Sequence, residues 1–379
     1  MKRIILLGIV LILCCYCVSK QNKVERIMED GVEVVLNHIE PYILEGEPSV
    51  LTLEEEISID FARDDIGAMG LANATDFEID SEGNIYFTYS SKNGDLIFKF
   101  DGKGNFIRSF GPKGQGPGEM QFILFSGIDS QDNYIISDHM SKKVLFFTKD
   151  GHLIKEIRYP TNGREVFPLE NGNYFSFWSR YMEDIQNYQW VAGINNSEFE
   201  EIKELDTQDL YDPDTKGLRG VNPVSFFKWK ISKGHIFIAS EDRGYEILKY
   251  DFDANLVKKI RKEYKAVEVP GDLIKEKKKQ FEQYNMKVWF PKYWLPICDF
   301  FLDEEGRIYV MTFEKGEAPG EYIFDIFNPD GVFVHRKSLK IYYEGDRMVC
   351  ARVRRGRLYC FEEKQDKFRE FKVYKMRWE

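Results

Sequence analysis

The chain has 379 residues, 43% of them hydrophobic and 15% aromatic, with 30 Phe and 21 Tyr. That much apolar material excludes a disordered or low-complexity chain and supplies a large core dominated by strand formers. A formal net charge of −10 repels phosphate backbones, which excludes nucleic acid as a partner.

At the N-terminus Lys2 and Arg3 precede an apolar run from Ile4 to Leu13, and Cys14, Cys15 and Cys17 follow at once. A run of that length is too short to span a bilayer core of ~30 Å, so residues 1–17 predict an export signal, not a transmembrane helix. The cysteine cluster resembles the processing site of bacterial lipoproteins, where the first mature residue is a lipidated Cys. Cys15 in that role leaves Ile12 and Cys14 at the two recognition positions, whereas Cys14 leaves bulky Leu13 beside the cut. An ordinary cleaved signal stays open as well. Every version puts the protein outside the cytoplasm: lipid-anchored to a bacterial membrane, or else secreted or periplasmic.

Residues 18–45 form a polar leader, and Val50 to Ile59 predicts a strand. A repeat begins near Thr75. Six times a short polar turn is followed at once by a strand-like run, starting at Gly83, Asp132, Gly172, Gly234, Gly306 and Gly356, with spacings of 49, 40, 62, 72 and 50 residues. Self-similarity at roughly 40–50 residues is the period of a four-stranded propeller blade. Outer hairpins recur around Asp101 to Asn105, Lys149-Asp-Gly, Phe252-Asp-Ala-Asn and Asn328-Pro-Asp-Gly, turn residues between alternating apolar runs. The last copy offers one strand too few. An open ring would leave two exposed edges, so Val50 to Ile59 is expected to complete the sixth blade beside Phe368 to Met376. The expected fold is therefore all-β: a six-bladed β-propeller over residues 46–379, closed by an N-terminal strand.

Two stretches exceed the repeat. Asp206 to Pro223 predicts a surface loop. Residues 268–296 hold a short helix over Asp272 to Tyr284 and then a dense aromatic segment with Trp289, Tyr293 and Trp294. Long propeller loops sit on the end faces, so this insertion is a candidate lid or contact surface. Its aromatic residues either stack on sugar rings or join the core.

The run Gly114 to Glu119 (Gly-Gln-Gly-Pro-Gly-Glu), just after an outer strand, resembles the NHL-repeat-like six-bladed propellers common among bacterial exported lipoproteins. The segments starting at Asp30 and at Phe290 are similar to the same family. The resemblance covers roughly residues 30–377 and implies binding or scaffolding at the cell envelope, by analogy of fold. The glycine run itself is not a phosphate loop, because no Gly-Lys-Ser/Thr follows and a strand comes next.

Chemistry is scarce. The five histidines show no metal-ligand spacing, and neither a Gly-x-Ser-x-Gly elbow nor a Cys with a His partner occurs. Ligands from separate blades are invisible at this level, so a divalent metal in the central channel stays open; no other cofactor is expected. Polar residues at the starts of inner strands make Asp76, Arg164, Asp299 and Arg347 candidate channel residues. They would bind a small polar ligand or a cation, or else pair with one another. Arg352, Arg354, Arg355 and Arg357 form a basic hairpin, either a solvated tip or a contact for anionic glycans or lipid headgroups. Cys350 and Cys360 flank it, within disulfide reach only if the loop has three residues. Two functions follow: a non-catalytic envelope propeller that binds a protein or glycan, or a metal-dependent propeller lyase or hydrolase with its site in the channel. The shortage of histidines favours the first.

Overall fold

The structure, a computed structural model, describes residues 24–71, 74, 76–89, 94–159, 164–183, 187–209, 220–221, 227–282, 287–288, 290–341, 351–363 and 369–379. Six antiparallel sheets are arranged as blades of a ring, as the repeat predicts. Their inner strands are Asp76–Ile79, Ile123–Ile128, Arg164–Pro168, Phe227–Ser232, Asp299–Leu302 and Ala351–Arg354. Blades one to five then run outward in sequence order through three further strands, and blade six through two and then the N-terminal Leu51–Asp60.

The sixth blade closes the ring as expected. Leu51–Asp60 lies antiparallel to Arg369–Trp378, with Phe371 opposite Ile59. The seam is aromatic. Phe371 meets Phe77 and Phe87 edge-to-face at centroid distances of 4.8 Å each, and Phe61 meets Phe87 at 5.1 Å. Such contacts add about 0.5–1.5 kcal/mol each beyond simple burial, so they help hold the closing blade to blade one.

Five of the turns share one device, which explains why their sequences resemble one another. Asp80 Oδ1 accepts the backbone N–H groups of Glu82 and Asn84, while Oδ2 accepts Asn84 Nδ2. Asp101, Asp129 and Asp251 make the same three bonds, and Asp303 takes three backbone N–H groups. A short acceptor that satisfies several turn donors fixes the hairpin locally. Tyr86 and Tyr309, on the following strands, donate their hydroxyls to Asp80 at 3.0 Å and Asp303 at 2.9 Å.

One part of the leader behaves differently from the sequence expectation. Glu25–Glu29 and Val32–Asn37 form a hairpin whose second strand runs parallel to Leu256–Lys262, extending blade four to six strands. Asp30 and Gly31 both have positive φ (51° and 82°), the two-residue loop for which Asp-Gly is selected. Asn37 pins the addition: Nδ2 donates to the carbonyls of Arg261 and Gly331, and Oδ1 accepts from Phe333 N. Tyr42 and Val35 then pack on Val332 and Val334 of blade five.

Both insertions leave outer strands and return to inner ones, so both lie at the end of the ring where inner strands begin. They meet there, Gly220–Val221 pairing in parallel with Lys287–Val288. The expected helix is Gly271–Glu282, with no buried residue; a second, short helix, Asp64–Ala68, buries Ile66 between the closing strand and blade one. The glycine loop is structural: Glu119 folds back so that Gly116 N donates to its Oε2 at 2.8 Å, and a Cβ on Gly114 would lie 2.0 Å from the same oxygen. Buried Lys143 closes the loop by donating to Gly116 O and pairing with Glu156 at 3.1 Å.

Candidate site in the central channel

Alternation along the inner strands decides which side chains face the axis. In Asp76–Ile79 half-buried and buried residues alternate, as they do in Ala351–Arg354, the period-two signature of a strand with one face on a cavity. Pairing with the second strands aligns the six blades. Glu78 is opposite Tyr86, Gly127 opposite Ile135, Phe167 opposite Phe175, Lys230 opposite Phe237, Phe301 opposite Tyr309 and Arg352 opposite Tyr359. These six first members form one level, one from each blade. All of them line a single cavity of about 220 Å³, together with Phe125, Trp229 and Arg354. Two residues further back, Asp76, Phe125, Glu165, Lys228 and Asp299 form the next level toward the insertions.

The charges are paired across neighbouring blades. Arg352 Nη2 lies 2.8 Å from Glu78 Oε1 and 3.3 Å from Asp76 Oδ1. Lys230 Nζ lies 3.5 Å from Asp299 Oδ1. These contacts do not return what burial costs. Burial raises the Glu78 carboxyl above its usual range, against the pull of Arg352. Burial likewise lowers the Lys230 ammonium, against the pull of Asp299. Glu165 is pushed up to about 7 by burial, opposed only weakly by Lys228 and Lys230. Glu78 and Lys230 line the cavity and Glu165 stands one level behind it; burial leaves the charged form of each poorly solvated. Shifts of this kind beside a cavity lined by several blades make it the candidate binding site.

The sequence-based candidates divide. Asp76 and Asp299 are on the axis. Arg164 is a register step away, since Glu165 holds the channel position on that strand. Arg347 and Trp289 lie outside the described residues. Trp294 is stacked on Phe313 (centroids 4.1 Å apart, planes 8° apart), so one face is committed to seating the insertion. Tyr293 is exposed, with Lys292 Nζ 4.9 Å above its ring. The recess beside Trp294, about 30 Å³, has room for roughly one water. The basic hairpin is neither a bare tip nor a free cationic patch. Arg352 enters the channel, Arg354 and the Arg355 backbone engage Glu304, and Arg357 pairs with Glu56 at 2.5 Å. Its loop has two residues, Arg354 pairing with Arg357 and Ala351 with Cys360. Cys360 is a free, buried thiol, and Cys350 lies outside the described residues.

Sequence reasoning missed Glu78, Glu165, Lys228 and Lys230. The signal was available for two pairs: Asp76 with Glu78, and Lys228 with Lys230, each stand two apart on an inner strand. Among the described residues no three His, Cys, Asp or Glu side chains cluster as a metal site.

Residues 77–216 match the model of the DUF5128 family, described as a 6-bladed beta-propeller. No curated protein matches the chain. Among solved structures, an exported protein from Bacteroides fragilis NCTC 9343 is similar over 91% of this chain and 99% of its own, at 13% identity and a TM-score of 0.54. A member of the DUF4221 family from Bacteroides vulgatus is similar over 88% and 100%, at 12% identity and a TM-score of 0.53. At such identities the likeness is one of fold.

Proposed function

We propose that the protein is a non-catalytic binding or scaffolding propeller of the bacterial cell envelope, and that its ligand sits in the central channel. The observation that carries this reading is the cavity of about 220 Å³ into which all six blades contribute a side chain. A metal-dependent lyase or hydrolase in the same channel would need several acids converging on one ion. Asp76 and Glu78 stand with Arg352 and Asp299 with Lys230, so the acids are divided between two ion pairs, which favours binding. The decisive experiment is a thermal-shift screen of small polar compounds on wild type and on Arg352→Met. The reading expects hits that raise Tm in wild type and lose the shift in the variant; hits indifferent to Arg352→Met would count against the channel.

Location belongs to the same proposal. The N-terminal run and cysteine cluster support export and a lipid anchor at Cys15 or Cys14, and the Gly114 to Glu119 run supports kinship with NHL-repeat-like exported lipoproteins. Among the described residues no helix is long and apolar enough to cross a membrane. Labelling cells with radioactive palmitate should mark the wild-type protein and leave a Cys14→Ala/Cys15→Ala variant unmarked. An unlabelled wild type, released to the medium, would contradict the anchor.

A further inference from the structure

The channel cavity is chemically uneven, and the unevenness specifies a ligand. Around the level of Glu78 the blades alternate in kind. Blade one gives the acid Glu78, blade four the base Lys230 directly across the ring, and blade six Arg352 beside Glu78. Blades two and three give an apolar wall. There Gly127 leaves space that the Phe167 ring occupies, since a Cβ on Gly127 would lie 2.5 Å from Phe167 Cε2. Phe125 meets Phe167 edge-to-face at 5.2 Å and leans on Trp229 at 4.9 Å.

Three requirements follow. Lys230 lines one side of the cavity with its ammonium 3.5 Å from Asp299, so an added carboxylate can approach it from the cavity. Glu78 lines the facing side beside Arg352, 2.8 Å away, so an added ammonium can share its carboxylate. The aromatic wall between them takes an apolar group. The size agrees: a cavity of roughly 150 Å³ admits benzene, and about 220 Å³ adds space for a few polar atoms.

Resting on the channel-binding reading above, we infer that the ligand is a small zwitterion of amino-acid size with an apolar side chain. Its carboxylate faces Lys230, its ammonium faces Glu78, and its side chain lies on Phe125 and Phe167. Opposed charges on the two sides of a narrow cavity discriminate mainly by rejecting analogues that leave one of them unpaired.

The test is calorimetric titration of the residue 24–379 protein with L-phenylalanine, N-acetyl-L-phenylalanine and L-phenylalaninamide. The free amino acid should bind, and each blocked analogue should bind at least tenfold more weakly. Glu78→Gln should erase the discrimination against the N-acetyl compound while keeping that against the amide. Lys230→Met should do the reverse; because it leaves Asp299 without that lysine, the analogue series on wild type carries the test if this variant fails to fold. Equal affinity for free and blocked compounds would overturn the inference. So would binding of a monosaccharide panel, lost in Arg352→Met, in place of the amino acid; channel binding would then stand and only the ligand class would fall. Binding by neither panel would overturn both.

Discussion

The hairpin turns and the central channel are built from the same residue types and treat them in opposite ways. At the turns Asp80 and Asp303 are almost fully buried, yet both oxygens of each have donors: backbone N–H groups within four residues and a tyrosine hydroxyl from the next strand. A similar saturation holds between blades four and five. There Asp325 receives Tyr245 OH at 2.7 Å, Arg336 Nε at 2.8 Å and the Lys262 ammonium at 3.4 Å. In the channel Glu78, Glu165 and Lys230 are only partly exposed, and burial still shifts each against its charged form. Saturated polar groups specify the fold, and a shortfall left in a cavity is available to a ligand.

The comparison breaks most visibly at a turn. Asp80→Ala strips acceptors from two backbone N–H groups, Asn84 Nδ2 and Tyr86 OH. Urea denaturation should show a loss of about 3 kcal/mol, because buried donors are left orphaned. Its channel counterpart should move the other way. Glu165→Gln removes a charge that burial disfavours, and stability at pH 8 should rise by about 1–3 kcal/mol.

The sign of the pH dependence follows from the shift. The Glu165 carboxyl rises from 4.5 to about 7 on folding, so between those values the folded state holds a proton that the unfolded state has lost. Its contribution to stability is full below pH 4.5, falls as pH rises toward 7, and is level above that. Glu165→Gln should flatten that window.

Two smaller effects sharpen the contrast. Tyr309→Phe removes one of the bonds to Asp303 and should cost about 1 kcal/mol by chemical denaturation. Arg377→Ala breaks an exposed pair with Glu54 at 2.9 Å and should change stability by less than about 0.5 kcal/mol.

How much of this was legible in the sequence follows the same division. The turns are local: each is a short polar run directly before a strand, so six copies stand out and give the blade count, three of them (Asp80, Asp129, Asp303) built around an Asp that bonds residues within about five positions. Ring closure by Leu51–Asp60 was legible because an unpaired edge has a general physical penalty. The hairpin at residues 25–37 carried its own signal in Asp30-Gly31, but the charged residues around it hid the strand on either side. The channel was half legible. Asp76 and Asp299 stand at strand starts, whereas Glu165 could be told from Arg164 only by the strand register, and one residue reverses the face. Arg352 read as part of a surface hairpin because its partners Asp76 and Glu78 lie more than 270 positions away.

The most direct test of the account is a ¹³C NMR titration of the Glu165 carboxyl, assigned by its loss in Glu165→Gln. The account predicts a midpoint near 7. A midpoint near 4.5, the ordinary value for a glutamate, would mean that the channel solvates its charges as the surface does, with nothing left for a ligand to relieve.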